Sequence, residues 1–229
     1  MSHASDQGAV EAAASAPPDA WLAVFSLAFG AFGLVTAEFL PVSLLTPMAA
    51  ELGVSIGTIG QAITATAVVA AIAGPLLILG AGRMDRRTIV WGLMALLVLS
   101  GVLSATASTI AVLLLARGLL GFALGAFWAM MAALALRLVP ADKVPRAISI
   151  IIMGVSLATV FAAPLGAFLG EQWGWRATFL AASGIGVLAL GFQLLALPTL
   201  PAVAAPAWRR SRWRCRVARW RSALERRCW

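Results

Sequence analysis

The chain has 229 residues, of which 62% are hydrophobic and only 11% are charged. Water-soluble domains contain about 45–50% apolar and about 25% charged residues, so this composition excludes an ordinary soluble fold. The net charge of +8 comes entirely from residues 209–229, which hold nine arginines and one glutamate. The body of the chain is neutral, and this excludes a nucleic-acid partner bound through a basic surface there.

Cysteine and histidine are missing from the long apolar part of the chain. Cys215 and Cys228 lie in the basic tail, and the only histidine is His3. The body therefore offers neither a thiolate metal site nor a disulfide. We predict no cofactor, no metal and no enzymatic activity, because the apolar segments contain no nucleophile–base arrangement.

The first 20 residues are polar and small, and we predict that they form a cytoplasmic leader. Beyond them, the charges fall where membrane spans of about 20 apolar residues would end. Backbone groups in lipid must be paired within the segment, which predicts helices and not open strands. We therefore predict an all-α membrane protein, a six-transmembrane-helix bundle at 21–200, with spans at about 21–45, 58–80, 88–136 (two spans, with a turn at 104–108), 147–170 and 177–197.

Positive residues are unevenly distributed among the predicted loops, and loops rich in lysine and arginine stay in the cytoplasm. The loops between spans two and three and between spans four and five are basic, whereas the other three loops contain only Arg176. We expect the lipid bilayer around the spans and both termini in the cytoplasm. The basic residues are Arg83, Arg86, Arg87, Arg137, Lys143 and Arg146.

Glu38 is the only charged residue inside the first predicted span. A carboxylate within a membrane span is costly and usually faces a cavity or a partner. Such a group suits a site that binds and releases a proton, so we interpret Glu38 as a residue for proton coupling or substrate binding. The alternative is a carboxylate at the outer rim of the membrane, because Pro41 follows closely.

Arg117 is the only basic residue inside a predicted span. Counted at 1.5 Å per residue, Glu38 and Arg117 both lie roughly 10–12 Å below the outer surface. The two side chains could therefore share a cavity, with Arg117 as the partner of Glu38. The alternative is a structural arginine that donates hydrogen bonds to backbone carbonyls.

Four further residues in the second and fourth spans are candidates for lining a cavity or for close helix packing. Gln61 and Trp128 are candidate cavity groups, with packing or interfacial placement as the alternative. Gly121 and Gly125 lie four residues apart on one helix face, and small residues let helix backbones approach closely in membranes. Packing alone is the alternative interpretation of each glycine.

Three segments carry a resemblance to a known family. Residues 82–87 read Gly-Arg-Met-Asp-Arg-Arg, residues 117–125 contain Arg-x3-Gly-x3-Gly, and residues 163–166 read Ala-Pro-Leu-Gly. Together they resemble the loop, helix 4 and helix 5 motifs of the drug/proton antiporter branch of the major facilitator superfamily, whose members pair two six-helix halves. The first segment has Gly82 where an acid is usual and Asp85 where a glycine is usual, and the third is a weakened form of its motif.

This resemblance implies roles for the residues that match the motifs. It implies that the bundle is one half of the superfamily fold and that Arg117 takes part in proton transfer. It also implies a cytoplasmic gate loop and a helix-packing motif. The gate residues are Arg83, Asp85, Arg86 and Arg87, and the packing residues are Gly121, Gly125, Pro164 and Gly166.

Four shorter segments, at 36–42, 125–130, 137–140 and 174–176, are similar to bacterial purine ribonucleoside exporters. The implied function is proton-coupled efflux of purine nucleosides, with protons and a nucleoside or similar small molecule as partners. The implied location is the bacterial plasma (inner) membrane. An arabinose-type sugar exporter or a drug exporter remains an alternative.

A second six-helix half is not evident in the sequence. The basic, Arg/Trp-rich tail at 201–229 is unlike a membrane loop or a seventh span, and we expect that a shift of reading frame produced it. The alternative is a real basic tail that binds anionic lipid. The chain would then be a truncated half that self-associates through its exposed face, or a remnant that transports nothing.

Overall fold

The computed structural model describes residues 20–80 and 84–198. Residues 1–19 of the predicted leader, Arg83 and the basic tail at 201–229 lie outside the described residues. Within the described ranges the chain folds into five α-helices and one short 3-10 helix. These are α1 (Ala20–Leu52), α2 (Ile56–Gly80), α3 (Arg86–Ala105), α4 (Ile110–Leu138), the 3-10 helix Ala141–Lys143 and α5 (Val144–Ala196).

Local chemistry sets several of the helix ends. Gly53, directly after α1, has a φ of 64°, which is a left-handed conformation that glycine adopts without steric penalty. The side chain of Asp85 caps α3 by accepting a hydrogen bond of 2.9 Å from the backbone N–H of Arg87. Pro145 lies in the first turn of α5, where a helix needs no N–H donor.

The structure has five helices where the sequence predicts six spans. All five are long and apolar enough to cross a membrane, which agrees with the predicted all-α membrane class. The predicted count of six separate helices is not reproduced, because the predicted fifth and sixth spans both lie within α5. The backbone of α5 leaves the helical conformation only at Gly174, where φ is 79° and ψ is 161°. The stretch predicted as a loop at 171–176 therefore contains a sharp break at Gly174, where two helical segments of α5 meet.

The helices pack as a bundle in which α1 lies along α5 and α2 lies along α4, while α3 contacts α4 and α5. Buried apolar side chains form two clusters along this bundle. Leu120 and Phe127 of α4 belong to the larger cluster, and Leu113 and Phe179 belong to the smaller one. Arg117 therefore lies on α4 at the boundary between the two clusters.

One face of α2 is covered by no other part of the described chain. It carries large apolar side chains spaced by three or four residues, each more than half exposed: Val68, Ile72, Leu76 and Leu79. Such a stripe suits the hydrocarbon core or a second protein surface, and contiguous apolar surface of this kind is unusual in water.

Candidate functional site

Arg117 is the largest fully buried side chain among the described residues and is only 2% exposed. Its Nη1 atom donates a hydrogen bond of 2.8 Å to the backbone carbonyl of Ala37 in α1. The guanidinium carbon lies 4.8 Å from the centroid of the Phe179 ring in α5, within the range of a cation–π contact. Residues from three helices thus hold one charged group inside the bundle.

The backbone around Arg117 is bound to two more helices. The Thr66 hydroxyl of α2 donates to the Arg117 carbonyl at 3.3 Å and also to the Ala62 carbonyl at 3.1 Å. The Ser100 hydroxyl of α3 donates to the Ala116 carbonyl at 2.7 Å. Every α-helix of the described chain therefore contributes to the position of Arg117.

Glu38 follows Ala37 in α1 and is half-buried. Its charge interacts electrostatically with that of Arg117. Within the described helices no ion pair within 4.0 Å joins the two side chains, in contrast to Glu51 and Arg176, whose charged atoms lie 2.8 Å apart. The structure thus places Glu38 and Arg117 at the same depth in the bundle. The hydrogen bond of Arg117, however, goes to the backbone carbonyl of Ala37, the residue before Glu38.

The structure separates the remaining cavity candidates from Arg117. Gln61 is exposed on α2, and Trp128 is 38% exposed on α4. Neither side chain forms a described hydrogen bond with Glu38 or Arg117. They lie on uncovered surfaces of the bundle, where a further protein segment or a substrate could contact them.

Gly121 and Gly125 lie where α4 approaches α2 most closely. A Cβ atom added at Gly121 would overlap the carbonyl oxygen of Thr66, and one added at Gly125 would overlap that of Ala70. Only glycine permits this approach, because the opposing atoms are backbone and cannot rotate away.

The motif at 163–166 lies on α5 opposite α1. A Cβ atom at Gly166 would lie 2.6 Å from the Ser43 Oγ and 2.8 Å from a methyl carbon of Leu40. Pro164, two residues earlier, is exposed. Within this segment it is Gly166 that sets the approach of α5 to α1.

The predicted gate loop is described from Met84 onward. Asp85 caps α3, and Arg86 is partly exposed. The Arg87 guanidinium lies 4.1 Å from the centroid of the Trp91 ring, and its Nη2 donates to the Leu194 carbonyl near the end of α5 at 3.4 Å. Arg87 therefore connects the start of α3 to the last turn of α5.

Sequence reasoning missed a cluster at the opposite end of the bundle. Arg176 forms an ion pair with Glu51 at 2.8 Å and donates to the Ala105 carbonyl at 2.8 Å. The Trp175 indole N–H donates to the second oxygen of Glu51. The cluster joins the ends of α1 and α3 to the bend in α5. The signal that could have indicated it is that Arg176 is the only basic residue in the three loops on this side, one of which contains Glu51.

Comparison with known proteins identifies the fold family. The family model described as Major Facilitator Superfamily matches residues 27–229. The chain belongs to the Major Facilitator Superfamily. The predicted membership of the superfamily is thereby confirmed, and this is a family of transporters and not of enzymes.

Curated relatives cover the same part of the chain. Over 181 residues it is 50% identical to the purine ribonucleoside efflux pumps NepI of Escherichia coli (strain K12) and Shigella flexneri. The alignments cover 79% of this chain and 46% of each relative. The chain thus spans about half the length of the curated relatives that it matches.

A solved structure supports the fold independently. The crystal structure of a bacterial homologue of the human lysosomal transporter Spinster, in an inward-facing and unoccupied conformation, matches with a TM-score of 0.69. The match covers 82% of this chain and 45% of that chain at 18% sequence identity. At that identity the likeness shows the fold alone.

Proposed function

We propose that this chain forms the amino-terminal half of a proton-coupled exporter of purine ribonucleosides in the bacterial inner membrane. The observation that carries the proposal is the 50% identity over 181 residues to proteins named purine ribonucleoside efflux pumps. The structural support is a buried arginine beside a half-buried carboxylate within helices that are suited to a membrane. A transporter needs such groups where a proton or a substrate can reach them.

In this proposal Glu38 binds and releases the coupling proton, and Arg117 responds to its charge. The electrostatic interaction between the two supports this assignment. Gln61 and Trp128, on uncovered surfaces, complete the substrate cavity when a second half is present. Around the loop at 82–87, residues Arg83, Asp85, Arg86 and Arg87 form the cytoplasmic gate.

The proposed topology has six crossings, with both termini in the cytoplasm. Two crossings within α5 are supported by its 53 residues, which would extend about 80 Å as one straight helix, against a hydrocarbon core of about 30 Å. The bend at Gly174 would lie at the outer surface, together with Ser55 and Gln172.

Single cysteines test this topology. Cysteines at Ser55 and Gln172 should react with an impermeant thiol reagent added outside intact cells, whereas a cysteine at Ala141 should react only after lysis. The native Cys215 and Cys228 are replaced by serine in all variants. Outside labelling at Ala141 alone would reverse the orientation.

A single half supplies only one wall of the cavity, because substrate sites in this superfamily lie between two halves. The exposed apolar stripe of α2 fits a surface that another half covers. We therefore expect the 229-residue chain to self-associate and to export no nucleoside by itself.

A chimera tests the transport function directly. Residues 1–200 of this chain are joined to the part of the Escherichia coli relative that follows its match. In cells lacking nucleoside exporters, the chimera should export inosine and guanosine and the chain alone should not. Efflux of arabinose or a drug in place of nucleosides would contradict the proposed substrate, and nucleoside efflux by the chain alone would show that two copies form a working pair.

A further inference from the structure

A small cavity lies beside Arg117, in the middle of the bundle. Its volume is about 10 Å³, which is about the space that one water molecule needs. Its walls come from α1, α3, α4 and α5 and include Ser104, Arg117, Phe179 and Ala182. The space is too small for a nucleoside.

Two polar atoms at this cavity have no hydrogen-bond partner in the described structure: the Nε of Arg117 and the hydroxyl oxygen of Ser104. Both residues are almost fully buried, with exposures of 2% and 1%. A buried donor or acceptor that is left unpaired costs free energy, so such atoms in folded proteins usually have a partner.

The other polar groups that line the cavity already use their protons. The hydroxyl of Ser100 donates to the Ala116 carbonyl at 2.7 Å, and that of Ser183 donates to the Phe179 carbonyl at 2.9 Å. Their oxygens still have lone pairs that can accept a hydrogen bond. The cavity thus combines one charged N–H donor, one unpaired hydroxyl and further acceptors.

We propose that this cavity binds one ordered water molecule, which accepts a hydrogen bond from the Arg117 Nε and is hydrogen-bonded to the Ser104 hydroxyl. A buried water typically makes two to four hydrogen bonds, which this set of groups can provide. The water solvates a guanidinium that no carboxylate within 4.0 Å neutralises. It also links α3 to α4 at the level of Arg117, whether or not the protein exports nucleosides.

Radiolytic labelling tests the water site, because hydroxyl radicals formed from a bound water oxidise the side chains next to it. The chain is studied in lipid nanodiscs, and oxidation is measured by mass spectrometry. Phe179, which lines the cavity, should be oxidised severalfold more than Phe127, although each is only 1% exposed. Equal protection of both rings would overturn the proposal.

Two variants test whether the oxidation of Phe179 comes from water in this cavity. Ala182→Val fills it and keeps every polar group, whereas Ser104→Ala removes the unpaired hydroxyl and adds no bulk. Both should lower the oxidation of Phe179 toward that of Phe127. Ser26→Ala is the matched control, because Ser26 is a buried serine outside the cavity whose hydroxyl bonds the Ala23 carbonyl at 2.8 Å, and it should leave the labelling unchanged. Undiminished oxidation of Phe179 in both test variants would contradict the proposed water site. Two variants are used so that the test still stands if one of them does not fold.

Discussion

Two arginines of this bundle make similar contacts in opposite environments. Each donates a hydrogen bond of 2.8 Å to a backbone carbonyl on another helix, Arg117 to Ala37 and Arg176 to Ala105. Each also lies over an aromatic ring, at 4.8 Å for Arg117 and 4.3 Å for Arg176. They differ in solvation, because the Arg176 side chain is 36% exposed and paired with Glu51, whereas Arg117 is buried.

This difference separates a structural role from a proposed functional one. An exposed ion pair at the end of a bundle is solvated in any state, so it contributes modestly to stability. A buried guanidinium without a carboxylate in direct contact remains sensitive to every charge near it, because the low dielectric of the interior strengthens electrostatic interactions. A change of charge at Glu38 should therefore act on Arg117 strongly, and the equivalent change at Glu51 should act on Arg176 weakly.

The largest expected effect is that of Glu38→Gln in the chimera. Glutamine keeps the shape but cannot release a proton, so nucleoside efflux driven by a proton gradient should collapse while the protein still inserts in the membrane. Glu51→Gln is the matched control and should keep efflux near the parent value. Efflux is measured with labelled inosine over a range of external pH. Unchanged efflux in Glu38→Gln would place Glu38 at the rim and leave Arg117 without its proposed partner.

The next effect is that of replacing each arginine by lysine. An ammonium has no planar fork, so it cannot reproduce the bond to the Ala37 carbonyl together with the ring contact. We expect Arg117→Lys to lower efflux at least about tenfold, equivalent to about 1.4 kcal/mol. Arg176→Lys keeps the pairing with Glu51 and should lower efflux less than about twofold. Equal losses in the two variants would remove the distinction between the arginines.

The sequence was sufficient to predict what depends on composition along the chain. Charges at segment ends predicted the apolar helices, and depth counted from the helix ends predicted that Glu38 and Arg117 lie at one level. The spacing of Gly121 and Gly125 predicted a close helix contact. These predictions rest on periodicity and length, which hold whatever the helix packs against.

Sequence alone could not supply features that depend on tertiary contact. The Arg117 hydrogen bond goes to a backbone carbonyl 80 positions earlier, and a carbonyl leaves no residue-specific mark in the sequence. The pairing of Glu51 with Arg176 depends on how α1 meets the bend of α5. The sequence predicted a loop at that bend, because a polar, glycine-containing stretch between two apolar segments usually indicates one; in the structure the interruption is limited to the break at Gly174.

A smaller effect, on the stability of the fold, is expected when the helix packing around Arg117 is disturbed. Thr66 bonds the Arg117 carbonyl, and a methyl group at Gly121 would overlap the Thr66 carbonyl. Gly121→Ala should therefore force α2 away from α4 and destabilise the fold by about 1–3 kcal/mol. Gly118→Ala is the control, because its Cβ would meet only a Val69 methyl at 3.9 Å. It should be neutral or stabilising by about 0.5–1 kcal/mol. Thermal unfolding in detergent measures both, and equal melting temperatures would show that α2 adapts without cost.

The smallest expected effect is the loss of stability when the exposed ion pair between Glu51 and Arg176 is removed. Glu51→Gln removes the charge but keeps an oxygen that can accept from Trp175 and Arg176, so we expect a loss of stability of about 0.2–1 kcal/mol. Raising the salt concentration from 0.1 M to 1 M shortens the screening length from about 10 Å to about 3 Å. Most of the difference between Glu51→Gln and the parent should therefore disappear at 1 M salt. Glu171→Gln, at an exposed position of α5, controls for the change in net charge. A loss above about 3 kcal/mol that salt does not reduce is typical of a buried pair, and it would mean that Arg176, like Arg117, is shielded from solvent in the membrane.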